Sequence, residues 1–168
     1  MNWLKMVLSH DSGPFWQLVK YGVIGVMSTC VQLGVFYLLA ATCLRCLTAD
    51  DWAVKSLSLP AVEFSGAEPW YAARWFLAAA ATAVGFTASN VFCWLMNRAF
   101  VFRPGKFRWY VEFAMFYGAA ATATGIALLA QSALIAWCGM MTSAAVVIEV
   151  VVSFMVNFVV RKFLIFRG

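Results

Sequence analysis

The residues of this chain that could do chemistry are few, and most of them are basic. One histidine, His10, and three aspartates, Asp11, Asp50 and Asp51, are too few for a catalytic triad or a metal cage. Neither G-x-x-x-x-G-K-[ST] nor G-x-G-x-x-G occurs, so nothing points to nucleotide binding. The five cysteines lie at 30, 43, 46, 93 and 138. Cys43-Leu-Arg-Cys46 is formally a C-x-x-C, but without a βαβ pattern around it redox chemistry is not expected. No catalytic residue, cofactor, metal or nucleic-acid partner is therefore anticipated. Two other sets stand out. Arg98, Arg103, Arg161, Lys162 and Arg167 cluster near the ends of apolar runs, with Lys20 entering beside them. An arginine fork binds phosphate oxygens in pairs, so such a cluster suits an anionic headgroup. The second set is sparse and polar, consisting of Gln32, Asn90, Asn97, Glu149 and Asn157.

The elements that must position these residues follow from composition. The chain has 168 residues, 64% hydrophobic and 11% charged, whereas a soluble domain carries about 25% charged residues. That excludes an ordinary soluble enzyme, a disordered chain and a secreted disulfide scaffold. An integral membrane protein remains, and at roughly 20 residues per crossing there is room for four spans. Uncharged runs between charged residues place them at about 17–44, 75–97, 113–137 and 142–160. The last two come from one long uncharged run that Gly139 should break. The reading is an all-α membrane four-helix bundle in a single domain, with a connection over 45–74 on one side and a shorter one over 98–112 on the other.

Four spans put both termini on one side. That side holds nine of the twelve basic residues, namely Lys5, Lys20, Arg98, Arg103, Lys106, Arg108, Arg161, Lys162 and Arg167. The positive-inside rule makes it cytoplasmic, and 45–74 becomes the external loop. Trp16 and Trp109 then fall at inner boundaries and Trp75 and Trp137 at outer ones, where amphipathic rings prefer to sit. The external loop, with Pro60, Pro69, Trp52 and Trp70, is expected to be irregular or interface-lying, and Asp50-Asp51 to be solvated. Tyr21–Leu44 is too long for a signal-peptide core and reads as a retained anchor. Met1–Ser9 could be a short amphipathic piece or a frayed end.

Glu149 is the sharpest single residue. Twelve residues separate it from Arg161, about 18 Å of helix, and Gln32 lies equally far from Lys20. An ionisable group that deep costs at least about 2.5–3.5 kcal/mol to insert and is by default a functional candidate. Its plainer alternatives are a protonated structural Glu bonded to a neighbouring span, or a shallower placement at the outer boundary. The runs Ala78–Ala83 and Gly118–Gly125 are small-residue stretches for close helix packing, or for a dimer face.

The chain also repeats itself weakly. Asn97-Arg-Ala-Phe-Val-Phe-Arg103 ends the second span and Arg161-Lys-Phe-Leu-Ile-Phe-Arg167 follows the fourth. The openings Phe15-Trp-Gln-Leu-Val-Lys-Tyr21 and Phe107-Arg-Trp-Tyr-Val-Glu-Phe113 also align. Two hairpins of like topology form a parallel repeat, an arrangement found in transporters. Charge bias with an aromatic belt accounts for the basic residues singly, though less well for one pattern closing two helices.

At these residues the chain resembles the GtrA-like proteins, a four-span family tied to polyprenyl-phosphate-linked sugars. The likeness rests on the aromatic entry Phe15–Gly25, on Asn97-Arg98 with Val101-Phe102, and on Asn157-Phe158, Arg161-Lys162 and Ile165-Phe166. The external loop is long for that family, and Cys93 stands at the repeat position of Asn157. The resemblance implies movement of an undecaprenyl-phosphate-linked monosaccharide from the cytoplasmic to the periplasmic leaflet of a bacterial inner membrane, for O-antigen or another envelope polymer. Under it, Arg98, Arg103, Arg161 and Lys162 would hold the phosphate, while Asn97, Asn157, Asn90, Gln32 and Glu149 would meet the sugar or gate its path. Phe100, Phe102, Phe163 and Phe166 could pack on the prenyl chain or sugar faces. Membrane lipids, a second copy of the chain or a membrane glycosyltransferase would be its partners. Two alternatives stay open, a non-transporting adaptor for a glycosyltransferase and a proton-coupled exporter of cationic compounds.

Overall fold

The computed structural model describes residues 14–100 and 108–160. Among them every regular element is a helix. Helix α1 runs over Pro14–Ala41, α2 over Trp52–Leu57, α3 over Arg74–Phe100, α4 over Trp109–Cys138 and α5 over Thr142–Val160. Three of these, α1, α3 and α4, contain stretches long and apolar enough to cross a membrane, and α5 contributes a shorter apolar one. A helix is the natural outcome for such sequences, because in hydrocarbon each backbone N–H and C=O must be bonded within its own segment. The expected N-terminal piece Met1–Ser9 lies outside the described residues.

Helix ends fall where local chemistry permits. Gly139 closes α4 in the left-handed region at φ 62°, and its N–H reaches the carbonyl of Leu134. Met140 N–H shares that carbonyl at 3.1 Å. A residue with a Cβ is strained at that φ, so glycine allows α5 to follow after a short turn. Helix α1 packs along α3, α4 along α5, and α3 joins the two pairs along α4.

The packing of α1 on α3 relies on small residues. Ala78, Ala81, Thr82, Gly85 and Ser89 recur at helical spacing and are buried. At Gly85 the approach is close enough that an added Cβ would stand 2.7 Å from the backbone oxygen of Gln32. The α3 run Ala78–Ala83 thus supplies residues to the bundle interior. Gly118 and Gly125 of α4, by contrast, have nothing within 4 Å of where a Cβ would be.

The long connection between α1 and α3 is mostly irregular, but it is not a solvated loop throughout. Asp50 is exposed, whereas Asp51 is fully buried. This corrects the expectation that both are solvated, and the reason is capping. One Asp51 oxygen accepts the N–H of Ala53 at 3.0 Å, at the start of α2. The other accepts the N–H of Ser143 at 2.9 Å, in the first turn of α5. One carboxylate thus caps two helices, and its charge complements the positive ends of both. Beside it, Thr142 Oγ1 donates to the Cys46 carbonyl at 2.8 Å. These bonds clamp the connection onto the end of the bundle, where Cys46 and Leu47 join a core with Phe36, Ala40, Ala145 and Val146.

The clamp also sets the chemistry of the C-x-x-C. Cys43 is exposed and Cys46 buried, and both are free thiols. Burial pushes the Cys46 thiol up to about 12, so it stays protonated and unreactive at neutral pH.

Two outcomes follow from this geometry. Asp51→Ala should cost about 2–4 kcal/mol, the sum of two lost caps, seen as a clear drop in the thermal midpoint in detergent. Asp51→Asn, which keeps one accepting oxygen, should fall in between. Cys46 should resist maleimide at pH 7 in folded protein and react once the chain is denatured, as mass spectrometry of the labelled peptide would show.

Candidate functional site

A layer of polar side chains crosses the otherwise apolar bundle. Gln32 lies nine residues from the end of α1, Thr82 eight from the start of α3, Gln131 seven from the end of α4 and Glu149 seven from the start of α5. At 1.5 Å per residue all four fall roughly 10–14 Å from the loop end of the bundle. Gln32 Nε2 donates to Glu149 Oε2 at 3.1 Å, joining the first and last spans. Glu149 is fully buried, and among the described residues its Oε1 has no hydrogen-bond partner. The same holds for Thr82 Oγ1 and for both amide atoms of Gln131.

Further toward the basic end the polar residues continue in smaller steps. Ser28 donates to the Ser89 carbonyl at 2.8 Å, and the Thr124 and Ser153 hydroxyls lie 3.2 Å apart. Asn90 is buried beside Ser89. Asn97 is buried too, its Nδ2 donating to Cys93 Sγ at 3.3 Å while Oδ1 has no partner among the described residues. The polar groups thus form a broken column along the bundle, with unused bonding capacity at its two ends.

Between α3 and α4 runs an aromatic seam. Trp94 meets Phe113 edge-on at 5.3 Å and Trp109 at 6.3 Å. Tyr117 continues it, 5.7 Å from Phe113 and 5.5 Å from Phe86, and its hydroxyl lies 3.0 Å from Thr87 Oγ1. On α4 the contributing positions 109, 113 and 117 are four residues apart, and on α3 Phe86 and Trp94 are eight apart, about two turns, so each set occupies one face.

At the basic end, the structure gives two cations partners within the chain. Arg98 forms an ion pair with Glu112 and lies 5.5 Å over the Trp94 ring, a distance at which cation–π attraction operates. Lys20 Nζ donates to the Phe100 carbonyl at 3.3 Å, at the negative end of α3. Arg103, Arg161 and Lys162 lie outside the described residues, as does the Asn157 side chain. Of the residues singled out from sequence, then, Gln32 and Glu149 are brought together, Asn90 and Asn97 share the buried face of α3, and Arg98 sits apart from both at the helix end.

Several members of this site were not singled out from sequence. Gln131 was hidden because one amide in an apolar run carries no charge to mark it, although its spacing from Ala123, Thr124, Ala127 and Ile135 places it on the buried face of α4. Glu112 lies fourteen residues after Arg98, and nothing in their spacing marks the two as partners. Trp94, Phe113 and Tyr117 are aromatics among many in an apolar chain, and nothing local distinguishes them.

Residues 70–166 of the chain match the family model described as GtrA/DPMS, transmembrane domain. That stretch includes α3, α4 and α5, and with them Glu149, Gln131 and the aromatic seam. No curated protein and no solved structure matches the chain.

The polar layer depends on the approach of α1 at Gly85. Gly85→Ala should push α1 away from α3, lowering the thermal midpoint by the equivalent of about 1–3 kcal/mol. Gly118→Ala, which meets open space, should leave it unchanged or raise it slightly. Equal midpoints for the two variants would show that the close approach does not hold the bundle together.

Proposed function

The chain belongs to the GtrA/DPMS transmembrane-domain family, and from that membership we propose that it carries a polyprenyl-phosphate-linked monosaccharide across a bacterial inner membrane. The lipid is taken up at the cytoplasmic, basic end and delivered at the end that bears the long connection, for addition to O-antigen or another envelope polysaccharide. The observation that carries this reading is the hydrogen bond from Gln32 to the fully buried Glu149 within a polar layer. A sugar has hydroxyls that must exchange water for protein bonds as it crosses. Free acceptors and donors on Glu149, Gln131 and Thr82 offer that exchange at the depth where hydrocarbon offers none.

The phosphate is held by the basic residues Arg98, Arg103, Arg161 and Lys162 at the cytoplasmic boundary. Arg98 reaches it by exchanging Glu112 for a phosphate oxygen, a trade between two anions at a partly exposed site. Asn97, Asn157 and Asn90 line the way inward. The prenyl tail stays in the bilayer, where aromatic rings on the outside of α3 and α4 meet it. The chain carries no nucleotide motif, so transport follows the leaflet gradient or the proton-motive force acting through Glu149. A four-span bundle encloses little space, and a second copy or a membrane glycosyltransferase completes the path.

A second reading, an adaptor that recruits or orients a glycosyltransferase without moving lipid, is favoured by one observation. Arg98 already has an anionic partner within the chain, as a structural residue at a protein interface would. The two readings separate on Glu149. Glu149→Gln, expressed at the normal level, should reduce delivery of sugar to the envelope polymer at least tenfold under the transport reading. Full delivery by that variant would remove Glu149 from the mechanism and put the adaptor ahead.

A further inference from the structure

The loop end of the bundle has a feature that the polar column does not use. The connection between α1 and α3 passes over the start of α3 and the end of α4 and borders an open cleft of about 780 Å³. Thr48, Glu68, Trp70, Arg74, Trp75 and Trp137 line it. A second, more apolar groove of about 560 Å³ shares Trp75, Ala136 and Trp137 with the first and continues along α4 past Ala133 to Leu129. The first volume lies within the range of small-molecule sites, about 300–1,000 Å³. Together the two make an open cleft of mixed polarity that continues into an apolar groove, a shape that suits an amphiphile with one chain.

The side chains give that shape a charge and a surface. Trp70 is held edge-on against Phe76 at 5.1 Å and Tyr71 at 5.8 Å, and Trp75 meets the same Phe76 at 5.9 Å. Both Trp70 and Trp137 nonetheless stay largely exposed, at 65% and 86%. Broad, exposed indole faces of this kind offer an apolar surface to one face of a sugar ring while its hydroxyls bond elsewhere. The two helix ends that line the cleft have opposite dipole signs, so its charged side chains decide its electrostatics. Glu68 is already engaged: one oxygen accepts from the Ser65 hydroxyl at 2.8 Å and from the Ser65 N–H, and the other from the Gly66 N–H at 3.0 Å. Its own backbone N–H and these donors hold its carboxyl below the usual range. Arg74, at the first position of α3, has no hydrogen-bond or ion-pair partner among the described residues, which leaves its fork available to an anion.

We propose that this cleft and groove bind the head and first chain segment of a sugar-phosphate lipid, with the phosphate on Arg74, the sugar between Trp70 and Trp137, and the chain along the α4 groove. The inference rests on the lipid-linked-sugar reading above and adds where the head is held at the end of the bundle opposite the basic cluster. It also gives the long connection a role, since Thr48, Glu68 and Trp70 all belong to it.

The test uses the full chain in lipid nanodiscs, with a cysteine placed at Ala73 and Cys30, Cys43, Cys93 and Cys138 changed to serine. Labelling by a membrane-impermeant maleimide is timed with undecaprenyl-phosphate-glucose, undecaprenyl phosphate, phosphatidylglycerol or glucose 1-phosphate added. Retention of the same lipids by the wild-type chain is measured by native mass spectrometry. The sugar lipid should slow labelling at least fivefold and the others less than twofold. Arg74→Ala and Trp70→Ala should each remove most of that protection while keeping the wild-type thermal midpoint. Selective retention of the sugar lipid without protection would overturn this site and leave the transport reading standing. No selective retention would overturn both. Equal protection by phosphatidylglycerol, or by glucose 1-phosphate, would overturn the assignment to a sugar-phosphate lipid.

Discussion

Inside a bilayer a polar atom has only protein to bond to, and the rest of this structure depends on that constraint. It makes the chain helical, because only a helix bonds its own backbone, and it makes each buried side-chain oxygen or amide consequential. Gln32 and Glu149 meet each other at 3.1 Å because neither can turn to solvent. The close passage of α1 over Gly85 places Gln32 at that depth. A glycine that permits a helix approach and a carboxylate that needs a partner are thus two parts of one arrangement, and under the transport reading the atoms of Gln131, Thr82 and Glu149 that have no partner among the described residues are where a polar cargo would be met.

The two ends of the bundle solve different problems. At the basic end, cations neutralise helix termini and one another's anionic neighbours, as Lys20 does for the Phe100 carbonyl and Arg98 for Glu112. At the loop end there is no excess of positive charge, and order comes from one buried carboxylate. Asp51 ties α2 to α5 through two N–H groups, while Thr142 returns a hydroxyl to the connection at Cys46. A connection this long would otherwise remain loose, since each helix start leaves N–H groups unbonded. Pinned this way, it becomes a wall for the cleft that holds Arg74, Trp70 and Trp137.

Chemistry thus divides along the membrane normal. Cationic side chains stand at both ends of the bundle, Lys20 and Arg98 at one and Arg74 at the other, and buried polar groups lie between them. Aromatic surfaces run along the α3–α4 seam toward one end and around Trp75 and Trp137 at the other. Under the proposed transport, that distribution would suit an amphiphile whose head crosses while its chain stays in lipid.

Much of this was legible in the sequence because hydrophobicity and charge are local properties. A chain with 64% hydrophobic and 11% charged residues must be a membrane protein, its uncharged runs mark the spans, and a lone Glu149 within one of them is conspicuous without any structure. Counting residues from the flanking cations also put Gln32 and Glu149 at equal depth, because helical rise is constant. Which spans touch is another matter. Whether Asp51 faces water or two helix starts, whether Arg98 meets Glu112, and whether Gln131 is buried among helices are all set by how separate helices come together. Lipid and protein are almost equally apolar, so a span's sequence does not by itself reveal which face meets which. Small differences in packing, such as the missing side chain at Gly85, decide it only once all the helices are in place.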